Sequence, residues 1–98
     1  MIMSKYESLY IISTQLDDEA IAAKIAKFKD LCEANGGTNI GIDTEAWGKK
    51  RLAYAINDET EGYYVLMNFE GASELPKELE RNFNIDENIL HYIVVKLG

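Results

Sequence analysis

The spacing of apolar residues is typical of a helix in some segments of the chain and of a strand in others. These differences divide the sequence into predicted helices and strands. Helical spacing of apolar residues predicts a helix within residues 14–37 and a shorter helix at residues 73–83. Runs rich in aromatic and β-branched residues predict strands at residues 6–12, 38–56, 63–70 and 89–97. The predicted order is therefore β-α-β-β-α-β.

Residues at the ends of these segments support the boundaries. The acidic residues 17–19 suit the positive N-terminal end of the first helix, and the Asn-Gly-Gly sequence at residues 35–37 tolerates the left-handed backbone that ends it. Ser73 is the candidate N-cap of the second helix. We expect a bulge at Gly48 in the second strand, and we expect residues 57–62 to form the turn of a hairpin.

Two β-α-β halves in one short chain predict an α+β fold of the ferredoxin-like type. Right-handed crossovers place both helices on one face of a four-stranded antiparallel sheet. The 98 residues are enough for one hydrophobic core, so we expect a single domain over residues 1–98. The other face of the sheet is left uncovered.

The uncovered face is predicted to be apolar. Alternate residues of a half-covered sheet are normally polar, yet YYVLMNF and HYIVVKL carry apolar residues at both parities. With residues 63, 65, 67 and 69 toward the helices, the other parity forms an exposed patch large enough to bind a partner. The candidate partner-binding residues are Leu9, Ile11, Tyr64, Leu66, Ile93 and Val95. Two alternatives stay open. The exposed apolar residues are scattered and have no function, or the chain self-associates through them.

Composition narrows the environment in which the protein works. Apolar residues make up 47% and charged residues 28% of the chain, as in folded soluble domains. A single cysteine, a start without a signal-peptide pattern and the lack of a long apolar run predict a reducing, cytoplasmic location without membrane insertion. The formal net charge of -7, from ten basic and seventeen acidic residues, argues against nonspecific binding to nucleic acid.

Catalytic and metal-binding chemistry is not predicted. The lone His91 lies in a strand without a second histidine or a cysteine to complete a metal site. Cys32 lies on the apolar stripe of the first helix, where a buried thiol is inert. A ferredoxin-like acylphosphatase would need an arginine in the loop after the first strand, where this chain reads STQLDDE. We therefore expect no enzyme activity, no cofactor and no metal.

The chain has one cluster of basic residues, Lys49, Lys50 and Arg51, which follows Trp47 in the second strand. Nowhere else in the sequence are two basic residues adjacent. Without further information, this basic run is interpreted as a solvated strand edge, because charged side chains keep edge strands from pairing with other chains.

Several motifs, taken together in their order and spacing, resemble the bacterial small-subunit ribosomal protein six family. They are KYESLYII near the start, GG after the first helix, WGKKRLAYAI, EGYYVLMNF and a closing IVVK. The resemblance covers nearly the whole chain and implies the ferredoxin-like fold. It also implies a heterodimer with small-subunit ribosomal protein eighteen that binds small-subunit (16S) ribosomal RNA, the partner supplying basic charge that this chain lacks.

The resemblance gives the basic run a role, since a small basic spot on an acidic protein can contact RNA phosphates locally. It also implies weaker contacts from basic residues near the ends of the first and last strands. The candidate RNA-binding residues are Lys49, Lys50, Arg51, Lys5, Lys96 and Trp47.

The two aromatic residues that flank the basic run receive different interpretations. Trp47 either stacks on a base or packs in the core. Tyr54 shares parity with Leu52 and Ile56 and is predicted to lie in the core. The rival hypothesis for the whole chain comes from another functional class, and it is a homodimeric regulatory module that binds a small metabolite.

Overall fold

The computed structural model describes residues 3–97 and confirms the predicted fold class and order of elements. A sheet of four antiparallel strands carries two helices on one face. The elements are β1 (Ser4–Ser13), α1 (Asp18–Ala34), β2 (Thr38–Ile56), β3 (Glu59–Gly71), α2 (Glu74–Ile85) and β4 (Ile89–Lys96).

The strands are arranged in the order β2-β3-β1-β4, so β1 and β3 are central and β2 and β4 form the edges. Tyr6 of β1 lies opposite Phe69 of β3 on one side and opposite Lys96 of β4 on the other. β1, the first of the described elements, therefore holds together the two halves of the chain.

Helix α1 forms where its sequence signals place it. The Asp17 side chain accepts a hydrogen bond from the Ala20 backbone N–H at 2.8 Å, which satisfies one of the free donors of the first turn. The helix ends at Ala34 with Asn35 as its C-cap, and Gly36 follows with φ of +86°, a backbone conformation that glycine adopts without steric cost. The apolar stripe of α1 is buried against the sheet through Ile21, Phe28 and Cys32.

Three aromatic rings join both helices to the centre of the sheet. Tyr10 of β1 lies 5.3 Å from the ring of Phe28 in α1 and 4.8 Å from the ring of Phe83 in α2, measured between centroids. Phe28 and Phe83 are 4.6 Å apart, and all three side chains are at most 1% exposed. Tilted contacts at these separations contribute roughly 0.5–1.5 kcal/mol per pair beyond the burial of their area. This ring triad is the centre of the core.

The turn between β2 and β3 is shorter than predicted. Only Asn57 and Asp58 turn the chain, both with positive φ (49° and 65°), as a two-residue type I′ turn requires. Strand β3 begins at Glu59, which pairs with Ile56, so the remaining residues of the expected 57–62 turn belong to the strand. The hairpin stays paired in spite of its polar sequence, because a tight turn of this type matches the twist of the flanking strands.

The predicted cap of α2 is correct in position but wrong in mechanism. Ser73 is the N-cap residue, but its backbone is helical (φ -60°, ψ -19°) and its hydroxyl makes no capping hydrogen bond. The Leu75 N–H donates instead to the Ala72 carbonyl at 3.0 Å. A backbone turn therefore satisfies that donor in place of the serine side chain.

An ion pair ties α1 to the end of α2. Lys24 Nζ lies 2.8 Å from Asp86 Oδ2, and the Asp86 side chain is only 5% exposed. Burial by itself raises the pKa of Asp86. The hydrogen bonds from the Lys24 ammonium and the Asn88 backbone outweigh that effect and hold the pKa of the carboxyl below its ordinary value.

We predict that Asp86→Asn lowers the free energy of unfolding at pH 7 by about 1–3 kcal/mol, as for loss of hydrogen bonds to a charged group. A carboxyl whose pKa is lowered by folding stabilises the fold above its unfolded pKa of about 3.9, and this contribution disappears as the pH falls through the folded pKa. Urea denaturation of the wild type and of Asp86→Asn between pH 7 and pH 2 measures the free energy of unfolding of each protein. The difference between the two free energies should shrink below about pH 4. Glu33→Gln is the control, because the Lys29–Glu33 pair is about half exposed. If the difference in free energy of unfolding is the same at every pH, the ionised Asp86 carboxylate does not stabilise the fold.

Candidate functional site

The face of the sheet opposite the helices brings all six candidate partner-binding residues together. Leu9 in β1 lies between Leu66 of β3 and Ile93 of β4, and in the neighbouring row Ile11 lies beside Tyr64. Cross-strand neighbours share one face of a sheet, so these residues form one apolar surface. We call it the open-face patch, and its members are Leu9, Ile11, Tyr64, Leu66, Ile93 and Val95.

Exposure differs across the open-face patch. Ile93 and Val95, on the edge strand β4, are 50% and 46% exposed, whereas Leu9, Tyr64 and Leu66 are half-buried. Ile11 is only 6% exposed, so it supports its neighbours and offers little surface itself. The patch is therefore most accessible toward β4.

A bulge in β2 places Trp47 beside the patch. Between Asp43 and Gly48, β2 advances five residues while β3 moves only two, and Gly48 has φ of +65°. The expected bulge at Gly48 is confirmed. The Trp47 ring stacks on Tyr64 with centroids 6.1 Å apart and the planes 21° apart. Of the two alternatives for Trp47, packing in the helix-side core is thus excluded.

A further irregularity in β2 overturns the prediction for Tyr54. The pairing shifts again between Arg51 and Ile56, and Tyr54 is 85% exposed instead of buried in the core. Leu52 alone of the predicted trio is buried, at 8% exposure. The alternation failed here because the hairpin extends past the last residue of β1, where no second layer covers it.

Leu52 is buried by contact across a glycine. Gly62 of β3 lies between Leu52 and Ile11, and a Cβ at this position would overlap the Ile11 Cγ2 methyl and come within 3.2 Å of Leu52 Cδ2. The missing side chain lets the two apolar residues approach each other over the backbone of β3. Gly62 therefore connects the hairpin to the open-face patch.

The basic run lies on the outer edge of the sheet, with all three side chains exposed. Lys49 and Arg51 are paired with Tyr63 and Glu61, whereas Lys50 is paired with Gly62 and lies over the Trp47 ring, 4.8 Å from its centroid. Lys50 thus points to the open face and the other two point to the helix side. A cation over tryptophan contributes roughly 0.5–1 kcal/mol at exposed sites.

All five basic residues outside the candidate set are paired with acids. Lys49 has only a loose contact, 4.0 Å from Glu61 Oε2. Four of the ten basic side chains form no ion pair with an acid in residues 3–97, and they are Lys5, Lys50, Arg51 and Lys96. The basic side chains that lack an acidic partner within residues 3–97 therefore all belong to the candidate RNA-binding residues.

The two candidate lysines near the ends of the first and last strands, Lys5 and Lys96, lie far from the basic run. Lys5 and Lys96 are close together, since the Leu97 N–H donates to the Lys5 carbonyl at 2.8 Å. On β3, Lys5 pairs with Glu70 and Lys50 pairs with Gly62. At roughly 3.3 Å per residue, Glu70 and Gly62 are about 26 Å apart along the strand. The candidate cations form two groups at opposite ends of the sheet.

Reactive groups are scattered. Cys32 is fully buried, and desolvation, followed by the nearby Glu33 carboxylate, raises the pKa of its thiol to about 11, so the thiol stays protonated at neutral pH. His91 is exposed on β4. Within residues 3–97 no three histidine, cysteine or acidic side chains are grouped to hold a metal ion. Neither α1 nor α2 has the length and apolar character needed to cross a membrane.

The fold and this surface define a ferredoxin-like domain that presents an apolar patch and an exposed basic edge. The model of the Ribosomal protein S6 family matches residues 5–96, and the chain belongs to this family. Its members are ribosomal proteins of the small subunit, and the chain is therefore not an enzyme.

Two curated relatives have nearly the same length. The small ribosomal subunit protein bS6 of Desulfitobacterium hafniense is 44% identical over 94 residues, covering 96% of this chain and 97% of the relative. The protein of the same name from Clostridium novyi is 46% identical over 93 residues, covering 95% and 96%. The crystal structure of 30S ribosomal protein S6 from Thermotoga maritima has the same fold. Its TM-score is 0.88 at 23% identity, over 97% of this chain and 88% of that one.

We predict that Gly62→Ala destabilises the protein by about 1–3 kcal/mol, because the new methyl group overpacks the contact between Leu52 and Ile11. The measurement is the free energy of unfolding in urea. In an Ile11→Ala background the same change should cost less, since the overlapping methyl group of Ile11 is gone. Equal costs in the two backgrounds would show that the new methyl group does not overlap Ile11.

Proposed function

We propose that this protein is a structural component of the bacterial small ribosomal subunit in the cytoplasm, where it binds 16S ribosomal RNA together with small-subunit ribosomal protein eighteen. The observation that carries the proposal is the position of the basic run beside the open-face patch. The open face of an acidic domain thus carries an apolar surface, and the edge strand β2 that borders this face carries free positive charge.

The open-face patch supports the protein half of this proposal. Apolar residues from three adjacent strands form it, and such a surface costs free energy while it faces water. A partner that covers it removes this cost. A basic partner is favoured in addition, because the chain carries a net charge of -7.

The basic run supports the RNA half. Arg51 is exposed and has no acidic partner within residues 3–97, so its guanidinium can hold a phosphate through two hydrogen bonds. Lys49 has a weak partner in Glu61, and Lys50 is partly engaged by the Trp47 ring. Arg51 is therefore the strongest phosphate ligand of the three, and the acidic remainder of the chain keeps the isolated protein from binding RNA tightly.

We predict that Leu66→Asp and Ile93→Asp each abolish association with protein eighteen while the fold is retained. Both residues lie on the open face, and a buried carboxylate without a partner group would oppose docking there. Calorimetry measures the association, and circular dichroism reports the fold.

Ile85→Asp is the matched control. Ile85 ends α2, on the other side of the sheet, and is 65% exposed, so this carboxylate should leave the association unchanged. Retained affinity in both patch variants would place the partner elsewhere. Wild-type chains that self-associate through the patch in place of binding protein eighteen would favour the homodimeric module.

We predict that Arg51→Ala in the heterodimer costs about 1–3 kcal/mol of affinity for a 16S RNA fragment, as for a hydrogen-bonded charge, and that Lys50→Ala costs less. Each lost phosphate contact should also lower the slope of log affinity against log salt by up to about one unit. Filter binding over a series of salt concentrations, with and without protein eighteen, measures both quantities.

Arg81→Ala is the control for Arg51, because Arg81 is held by Glu78 at 2.6 Å on α2. Its loss should change neither affinity nor salt slope. If Arg51→Ala behaves like this control, the basic run is only a solvated strand edge. Tight binding of RNA by the isolated chain would contradict the need for a basic partner.

A further inference from the structure

A groove of about 260 Å³ lies on the open face where the β2–β3 hairpin passes the end of β1. All four strands contribute to it. We call it the hairpin groove, and it is lined by Ile11, Leu52, Ala53, Tyr54, Ile56, Tyr64 and His91. Its volume is below the ~300–1,000 Å³ of typical small-molecule sites and suits a single large side chain.

Tyr54 forms the exposed wall of the hairpin groove. It is 85% exposed and is the most exposed of the large hydrophobic side chains in residues 3–97. Tyrosine loses little conformational entropy when an interface immobilises it, and it is enriched among the residues that dominate binding energy. Leu52 and Ile11, both nearly buried, form a fixed floor, so the groove is preformed.

An acidic residue, Glu59, lies next to the lining of the hairpin groove. Glu59 lies opposite Ile56 in the hairpin, and its Oε1 accepts a hydrogen bond from the Ser13 hydroxyl at 2.6 Å. This bond fixes the carboxylate beside the groove. Its second oxygen has no ion-pair or hydrogen-bond partner within residues 3–97. An immobilised carboxylate with one free oxygen is suited to a lysine or arginine from another molecule.

We propose that the hairpin groove binds one large apolar side chain of a basic protein partner, and that Glu59 pairs with a cationic residue next to it in that partner. The inference rests on the proposed function, since it extends the open-face patch through Ile11 and Tyr64 onto the hairpin. Tyr54, Leu52 and Glu59 are thereby added to the partner-binding residues.

The local charge favours a protein over RNA in this groove. Asp58 and Glu59 lie at the hairpin tip and repel phosphate, whereas they attract a basic protein. The basic run lies on the far side of the irregularity between Arg51 and Ile56. Protein and RNA therefore contact separate parts of the hairpin.

The first test measures binding of purified protein eighteen to variants at Tyr54. Tyr54→Ala should raise the dissociation constant by about tenfold or more, as for a central aromatic contact. Tyr54→Phe keeps the ring and should stay within about twofold of the wild type. Ile85→Ala removes an exposed apolar side chain from α2 and should have no effect. Circular dichroism confirms folding of each variant.

The second test addresses Glu59. Glu59→Gln keeps an acceptor for Ser13 but removes the charge, so it should weaken binding about two- to fivefold at low salt and have no effect at high salt. A photo-crosslinking amino acid in place of Tyr54 should capture a partner peptide that contains a large apolar residue next to lysine or arginine.

The outcomes separate the two proposals. If the wild-type chain does not bind protein eighteen, the proposed function is wrong, and so is the proposal that this partner occupies the groove. If the wild type binds and Tyr54→Ala binds equally well, only the groove proposal is overturned. If Tyr54→Ala weakens RNA binding by the preformed heterodimer and leaves protein association intact, the groove is an RNA contact and the proposal is wrong.

Discussion

The ring triad of Tyr10, Phe28 and Phe83 is the contact on which the rest of the structure depends. One ring comes from the central strand and one from each helix, with centroids 4.6 to 5.3 Å apart. Because both helices are fixed to the same face of β1, no element of the described chain is left to cover the other face. The surface available for binding is thus a direct consequence of how the core is packed.

The edge strand β2 divides this available surface into parts with different chemistry. Three irregularities interrupt its pairing with β3, and the basic run lies between the second and the third. The second, between Asp43 and Gly48, turns Trp47 onto Tyr64. The third, between Arg51 and Ile56, leaves Tyr54 exposed while Leu52 reaches Ile11. A regular strand would repeat one pattern along its length. The irregular strand instead presents an aromatic pair, a row of cations and an apolar groove in succession.

The sequence predicted most of the fold because its local signals and its packing agree. Strand β2 was placed correctly at both ends, and the residues of the open-face patch followed from alternation in regular strands. Alternation failed at Tyr54, where the pairing shifts and no helix lies above the hairpin. It also gave no distance between Lys5 and the basic run, since separation across a sheet depends on strand order and register. The turn that begins at Asn57 is shorter than its polar sequence predicts. Polar residues usually mark loops, yet most of the polar residues here are paired in the strand.

The position of β1 in the sheet affects the time at which the protein can fold during its synthesis. Residue 6 in this central strand pairs with residue 96 in β4, so the ladder joins opposite ends of the described chain. Contacts so distant in sequence form slowly, because a long loop must close before they stabilise anything. While the polypeptide is being made, one side of β1 therefore has no strand to pair with until β4 has emerged. The apolar edge of β1 must stay protected from other nascent chains during this interval.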